Sequence, residues 1–146
     1  MDDENLFKMI ETCVAFAVER LEKSEVLYPF AMLLERGENI ESLKSDEDDH
    51  EKSYVDLVEM LKTAVERDEV QAIALLARVS IPASFAPVVE EGIRIHIEER
   101  KFSDKKIGAR YLYIPYQLYK TAEADSKVTV KLHPPIPVSF PQEIFL

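Results

Sequence analysis

Apolar side chains at spacings of three and four predict two amphipathic helices, because such positions share one face of a helix. The first stripe lies within residues 4–24 and consists of Leu6, Met9, Ile10, Cys13, Val14, Ala17 and Leu21. The second follows residue 50 and consists of Tyr54, Leu57, Val58, Leu61, Ala64 and Val65. Ser45 or Asp46 is the expected N-cap of the second helix, where the following acids oppose the helix dipole.

Shorter apolar runs bounded by turn residues predict strands. The clearest alternation places Ile93, Ile95 and Ile97 on one face of a strand. Residues 70–81 are apolar at nearly every position, which favours a buried central strand, with a helix through 72–76 as the alternative. Proline lacks the amide hydrogen of a sheet ladder, so Pro115 predicts a bulge or an edge. The predicted strands cover residues 26–35, 40–44, 70–81, 93–97, 107–120 and 127–132.

The order of these elements is helix, hairpin, helix and then mostly antiparallel strands. This order predicts an α+β fold in which two helices pack on one face of a mostly antiparallel sheet of five to six strands, in the order α-β-β-α-β-β-β-β. Residues 1–146 are expected to form one domain. Four prolines fall within its last 13 residues, so the tail 134–146 is expected to be extended.

Charge is distributed unevenly along the chain. Its formal net charge is −10, and the first 91 residues carry 22 acidic and 9 basic side chains. Such a balance opposes nucleic-acid binding, which needs a basic footprint, and favours a basic protein partner or a merely solvated acidic surface. The candidate partner-binding residues form the densest acidic run, Asp46, Glu47, Asp48 and Asp49.

Several kinds of chemistry are disfavoured by the residues present. Cys13 is the single cysteine, so an intramolecular disulfide and a cysteine-based zinc cluster are excluded, and its place on an apolar stripe indicates core packing. The spacing of the histidines matches no metal motif, and no glycine-rich phosphate loop occurs. We therefore expect no cofactor. No stretch approaches the length of a membrane span, and the acidic start differs from a signal peptide, which together favour the cytoplasm.

One polar constellation is a candidate ligand-binding site. Arg94, His96 and Glu98 alternate with the isoleucines, so all three share the other face of that strand. If the next strand pairs with it in a hairpin, Arg110 and a set of tyrosines are expected opposite. Such a face could bind a small anionic or carbonyl ligand, whereas the alternative is a solvated outer face with cross-strand ion pairs.

The strand 107–120 is apolar on both faces. Tyr111 and Tyr113 share one face, while Leu112 and Ile114 lie on the other, so a second buried surface is needed. Either the chain's own tail or a second protomer is expected to cover it, with self-covering the commoner outcome and homodimerisation at about even odds. The apolar residues of the tail are Ile136, Val138, Phe140, Ile144, Phe145 and Leu146.

Three segments carry a resemblance to known proteins. Residues 27–43 (LYPFAMLLERGENIESL), 91–100 (EGIRIHIEER) and 111–118 (YLYIPYQL) resemble a loose group of small uncharacterised bacterial α+β proteins with a Tyr-Pro-Phe strand and a late Pro-Tyr strand. These motifs are structural and bring no catalytic signature. In size, charge and architecture the chain is also similar to the acidic immunity proteins of bacterial toxin systems.

The leading functional hypothesis is a non-catalytic intracellular module that binds a protein through its acidic surface, as an immunity-type or adaptor protein would. The first alternative is a small-ligand binder or enzyme that uses the polar sheet face around Arg94, His96 and Glu98. A subunit of a structural homo-oligomer is the second alternative.

Overall fold

Two α-helices and seven strands form the part of the chain described by a computed structural model, residues 3–120 and 127–145. Each of the two helices precedes a group of strands, as the periodicity predicts. In chain order the elements are α1 (Asp3–Ser24), β1 (Phe30–Glu35), β2 (Ile40–Leu43), α2 (His50–Ala64), β3 (Val70–Ser80), β4 (Glu91–Glu99), β5 (Ala109–Lys120), β6 (Val128–Leu132) and β7 (Ile136–Phe140).

The strands form one curled antiparallel sheet in the order β2-β1-β3-β4-β5-β6. Two strands share the outer edge of β5, since β7 pairs with its first half and β6 with its second half. Pairing changes from one to the other around Pro115, whose carbonyl accepts a hydrogen bond from the amide of His133 at 2.8 Å. At the outer side of β6, the Val130 amide donates to the Glu22 carboxylate of α1 at 3.0 Å. Of the predicted bulge or edge at Pro115, the structure shows an unbroken β5 in constant register with β4, and the proline lies on its outer side where β7 gives way to β6.

The α+β class and the predicted order of helices and strands are confirmed. Residues 70–80 form strand β3, which pairs with β1 and β4, so the helical alternative for this run is wrong. The tail contributes more than an extended segment, because residues 136–140 pair with β5 as a seventh strand. Leu146, which the sequence groups with the tail, lies outside the described residues.

The two helices lie on opposite faces of the sheet, which corrects the expectation that they share one face. Helix α1 packs on the face that includes Met32 and Ile95, while α2 packs on the face that includes Leu33 and Leu75. The cause is that β1 and β3 are apolar at successive positions, so both of their faces must be buried.

Helix α2 begins later than the sequence predicts. Its N-cap is Asp49, whose carboxylate accepts the backbone amide of Lys52 at 3.0 Å, instead of Ser45 or Asp46. The Ser45 hydroxyl donates to Asp56 within the helix, at 2.6 Å. Neither α1 nor α2, the helices of the described residues, has an apolar stretch long enough to cross a bilayer.

The tail covers the second apolar face of β5. Tyr111 and Tyr113 pack with residues of β7, and the Phe140 ring stacks on Tyr111 with centroids 4.2 Å apart. Beyond β7, Ile144 and Phe145 enter the core beneath α2. The second apolar face of β5 is thus buried by the chain's own tail.

Candidate functional site

The polar face of β4 is buried. Arg94, His96 and Glu98 point to the α2 side of the sheet, as alternation predicts, but the exposed fractions of the His96 and Glu98 side chains are 1% and 0%. The alternative of a solvated outer face is therefore wrong for these two residues. Helix α2 and the docked tail lie where the sequence alone suggested open solvent.

Glu98 anchors the tail through its carboxylate. One oxygen accepts the amides of Ile144 and Phe145, each at 3.0 Å, and the other accepts the amide of Glu143 at 2.9 Å. His96 Nε2 lies 2.5 Å from that second oxygen. Burial alone raises the pKa of the Glu98 carboxyl, but the hydrogen bonds from His96 and the tail amides outweigh it and lower the pKa overall.

The His96–Glu98 pair is arranged as a structural anchor rather than as an acid–base pair facing a substrate. Because the carboxylate can only accept, the hydrogen between the two side chains belongs to His96 Nε2. His96 Nδ1 is buried and has no hydrogen-bond partner among the described residues. Neither residue has access to a molecule in solution, so chemistry at this pair would first require the tail to undock.

Arg110 does not join this group. It lies opposite Ile97 on the α1 face of the sheet. Its guanidinium Nη2 is 3.3 Å from a carboxylate oxygen of Glu99. Alternation explains the separation, because Arg110 shares its strand face with Leu112 and Ile114 rather than with Tyr111 and Tyr113. The predicted set of four candidate residues is thus divided between the two faces.

Arg94 is the member of the set that borders open space. Its guanidinium donates to the Tyr54 hydroxyl and lies over two aromatic rings, 5.5 Å from the centroid of Tyr54 and 4.8 Å from that of Tyr111. Beside it is a cleft of about 410 Å³ between α2 and the ends of β3 and β4. Burial, partly offset by Arg94, raises the pKa of the Tyr54 phenol, which keeps it a neutral hydrogen-bond partner.

The acidic run forms the loop between β2 and α2, and its four members differ in role. Asp49 is the N-cap, and hydrogen bonding to the Lys52 amide lowers the pKa of its carboxyl. Asp46, Glu47 and Asp48 border a second cleft of about 270 Å³ next to Tyr28, a residue that is 42% exposed and whose ring packs against that of His50 with centroids 4.2 Å apart. Within residues 3–120 and 127–145, these three carboxylates form no ion pair.

Cys13 is fully buried within the α1 core, as its position on the apolar stripe predicts. Burial raises the pKa of its thiol to about 12, so the reactive thiolate is suppressed. No group of three or more metal-ligating side chains occurs in the part of the chain that the structure describes.

The sequence reasoning missed two aromatic residues beside these clefts, Tyr28 and Tyr54. Tyr54 belongs to the apolar stripe of α2 by its spacing, and its hydroxyl reaches Arg94 on the interior strand β4. It also missed the tail amides, which have no sequence signal because every residue except proline carries one. The chain matches no protein-family model, no curated protein and no solved structure.

Proposed function

We propose that this chain is a non-catalytic protein-binding module whose acidic loop receives a basic segment of a partner protein. The observation that carries the proposal is the juxtaposition of Tyr28, a partly exposed aromatic residue, with Asp46, Glu47 and Asp48, three carboxylates that form no ion pair with any residue the structure describes. A lysine or arginine side chain matches this surface, since carboxylates attract its charge and an aromatic face attracts a cation.

Local charge supports a basic occupant. Arg20 and Lys44 border the same cleft, and Lys44 lies over the Phe16 ring at 5.2 Å from its centroid. These two cations offset only part of the charge of the three loop carboxylates. The chain as a whole carries a net charge of −10, so the long-range field also attracts a basic partner.

The burial of His96 and Glu98 supports a role without catalysis. A general acid or base must come within hydrogen-bond distance of its substrate, and these side chains are enclosed by α2 and the tail. The thiol of Cys13 is enclosed as well. The same proposal includes an immunity-type or adaptor role, kinship with small bacterial proteins and a cytoplasmic location. The single buried thiol is in keeping with the cytoplasm.

The test compares partner capture by the wild-type chain and by two triple variants of equal charge. The loop variant is Asp46→Lys, Glu47→Lys and Asp48→Lys, which leaves the N-cap at Asp49 intact. A matched control reverses three acids elsewhere, Glu11→Lys, Glu59→Lys and Glu66→Lys. Tagged proteins are exposed to native lysate at low salt, and bound proteins are identified by mass spectrometry.

We expect a stoichiometric partner that the wild-type and control proteins retain and the loop variant loses. Its association rate, measured with purified components, should fall about tenfold or more in the loop variant at low salt and converge at high salt. Equal loss in both triple variants would assign the effect to net charge, and equal retention would contradict a role for the loop. A homodimer, the remaining alternative, is recognised by the mass of the purified protein.

A further inference from the structure

We propose that the cleft beside Arg94 binds a small organic monocarboxylate, with the guanidinium holding the carboxylate and the cleft walls holding an apolar body. This site is separate from the acidic loop and requires neither His96 nor Glu98 to be exposed. Its volume of about 410 Å³ lies in the range of small-molecule sites.

The cleft exists because a small residue occupies the sheet where a larger one would fill the space. Ala77 forms the floor, directly across the β3–β4 ladder from Arg94. Pro29, Val55 and Val79 contribute apolar walls around it, and Val55 is 61% exposed although it is aliphatic. An apolar ligand body therefore has a surface to bury beside the guanidinium of Arg94.

The guanidinium of Arg94 has no counter-ion among the residues that the structure describes. Among the described residues no carboxylate lies within 4.0 Å of it, and its Nε is buried without a hydrogen-bond partner. The neighbouring Arg78, by contrast, forms an ion pair with Glu91. Arginine binds carboxylates through charge-assisted hydrogen bonds, so the carboxylate of a ligand can serve as the counter-ion of Arg94.

Two nearby acids determine which anions fit. Glu51 lines the cleft. Glu143 accepts a hydrogen bond at 3.4 Å from the hydroxyl of Tyr111, one of the two tyrosines whose rings contact Arg94. Both repel a multiply charged ligand more strongly than a singly charged one. The local charges thus favour a monocarboxylate over inorganic phosphate or a nucleotide.

The experiment is a titration of the purified full-length chain, followed by amide NMR shifts and calorimetry. The probes are hexanoate and phenylacetate, with hexanamide as the neutral analogue and inorganic phosphate as the polyanion. We expect saturable shifts for the two carboxylates that include residues around Ala77 and Arg94, and weaker binding of hexanamide by about tenfold or more. Phosphate should not compete with hexanoate.

Three variants test the assignment. Arg94→Gln should weaken hexanoate binding about tenfold or more, and Ala77→Leu, which fills the floor while keeping the guanidinium, should abolish it. Arg36→Gln removes an exposed arginine elsewhere and should leave binding unchanged. Urea unfolding of each variant verifies that the native fold persists.

The proposal is overturned if neither carboxylate binds near its solubility limit, if hexanamide binds as tightly as hexanoate, or if folded Ala77→Leu binds normally. Its outcome is independent of the acidic loop. The triple variant of Asp46, Glu47 and Asp48 should bind hexanoate at least as well as the wild type, so loss of the partner and loss of the ligand are distinguishable.

Discussion

Replacing Glu98 with glutamine removes the negative charge that holds the tail while almost preserving the shape of the side chain. In the native protein the carboxylate accepts four hydrogen bonds, from His96 and from the amides of Glu143, Ile144 and Phe145. The glutamine oxygen can replace the oxygen that faces Ile144 and Phe145. Its NH₂ group then faces His96 Nε2 and the Glu143 amide, and it cannot accept the hydrogen bond that either of them donates in the native protein.

The size of the destabilisation follows from the hydrogen bonds that the glutamine side chain cannot form. The His96 ring can exchange its tautomer so that Nε2 accepts from the new NH₂ group, but the hydrogen then lies on Nδ1, which is buried without a partner among the described residues. The part-buried amide of Glu143 also loses its acceptor. An unsatisfied buried group costs about 1–3 kcal/mol, and the remaining bonds weaken because the acceptor is neutral. We therefore expect Glu98→Gln to lower the free energy of unfolding by about 2–4 kcal/mol.

Urea denaturation measures this loss, and hydrogen exchange locates it. The amides of Ile144 and Phe145 should exchange faster in the variant than in the wild type, because weaker bonds allow the tail to open locally. Glu90→Gln is the matched control. The Glu90 carboxylate lies at the surface just before β4, and among the described residues it accepts a hydrogen bond from Ser80 alone. Its effect should stay within about 0.5 kcal/mol.

The pH dependence supplies an independent check with a defined sign. The folded-state pKa of Glu98 is lowered, so its stabilising effect is complete above the ordinary glutamate pKa and is lost as pH falls through the folded-state value. The difference in unfolding free energy between wild type and Glu98→Gln should therefore be constant above the ordinary glutamate pKa of 4.5 and should narrow as the pH falls below it. A gap under about 1 kcal/mol at neutral pH, with unchanged tail exchange, would refute the anchoring role.

Three further predictions concern packing. Gly108→Ala should lower the free energy of unfolding by about 1–3 kcal/mol in urea, because an added Cβ lies 2.6 Å from the carbonyl oxygen of Phe102. Native Cys13 should resist iodoacetamide until the protein unfolds, a time course that mass spectrometry follows, since its pKa is raised to about 12. Phe145→Ala should cost about 3–5 kcal/mol in a thermal melt, because its buried ring packs under α2 and beside Arg100.

Local periodicity was sufficient for most elements, since the three-and-four spacing of α1 and the alternation of β4 depend on the chain itself. The placement of the helices was predicted wrongly although a signal existed. Residues 30–34 of β1 are apolar at five successive positions, which indicates a strand covered on both faces. A strand covered on both faces requires α1 and α2 on opposite sides of the sheet.

The candidate site was only partly predictable because its surroundings are built by distant segments. Alternation correctly placed Arg94, His96 and Glu98 on one face, but their burial depends on a tail some 45 residues further along the chain. Arg110 was placed with them by assuming a hairpin partner, and the observed register assigns it to the other face. Register depends on loop geometry and packing, which single-residue patterns do not encode.

Both edges of the sheet are poor templates for a strand from another molecule. At one edge β2 has only four residues. At the other edge, Pro134 and Pro135 lie between β6 and β7 and Pro137 lies within β7, and none of the three offers an amide hydrogen. The Val130 amide of β6 is already bound to the Glu22 carboxylate. Short strands, prolines and inward-reaching charges are the devices that suppress edge-to-edge aggregation. Self-association of this chain, where it occurs, must therefore use helix or sheet faces rather than a sheet continued across two molecules.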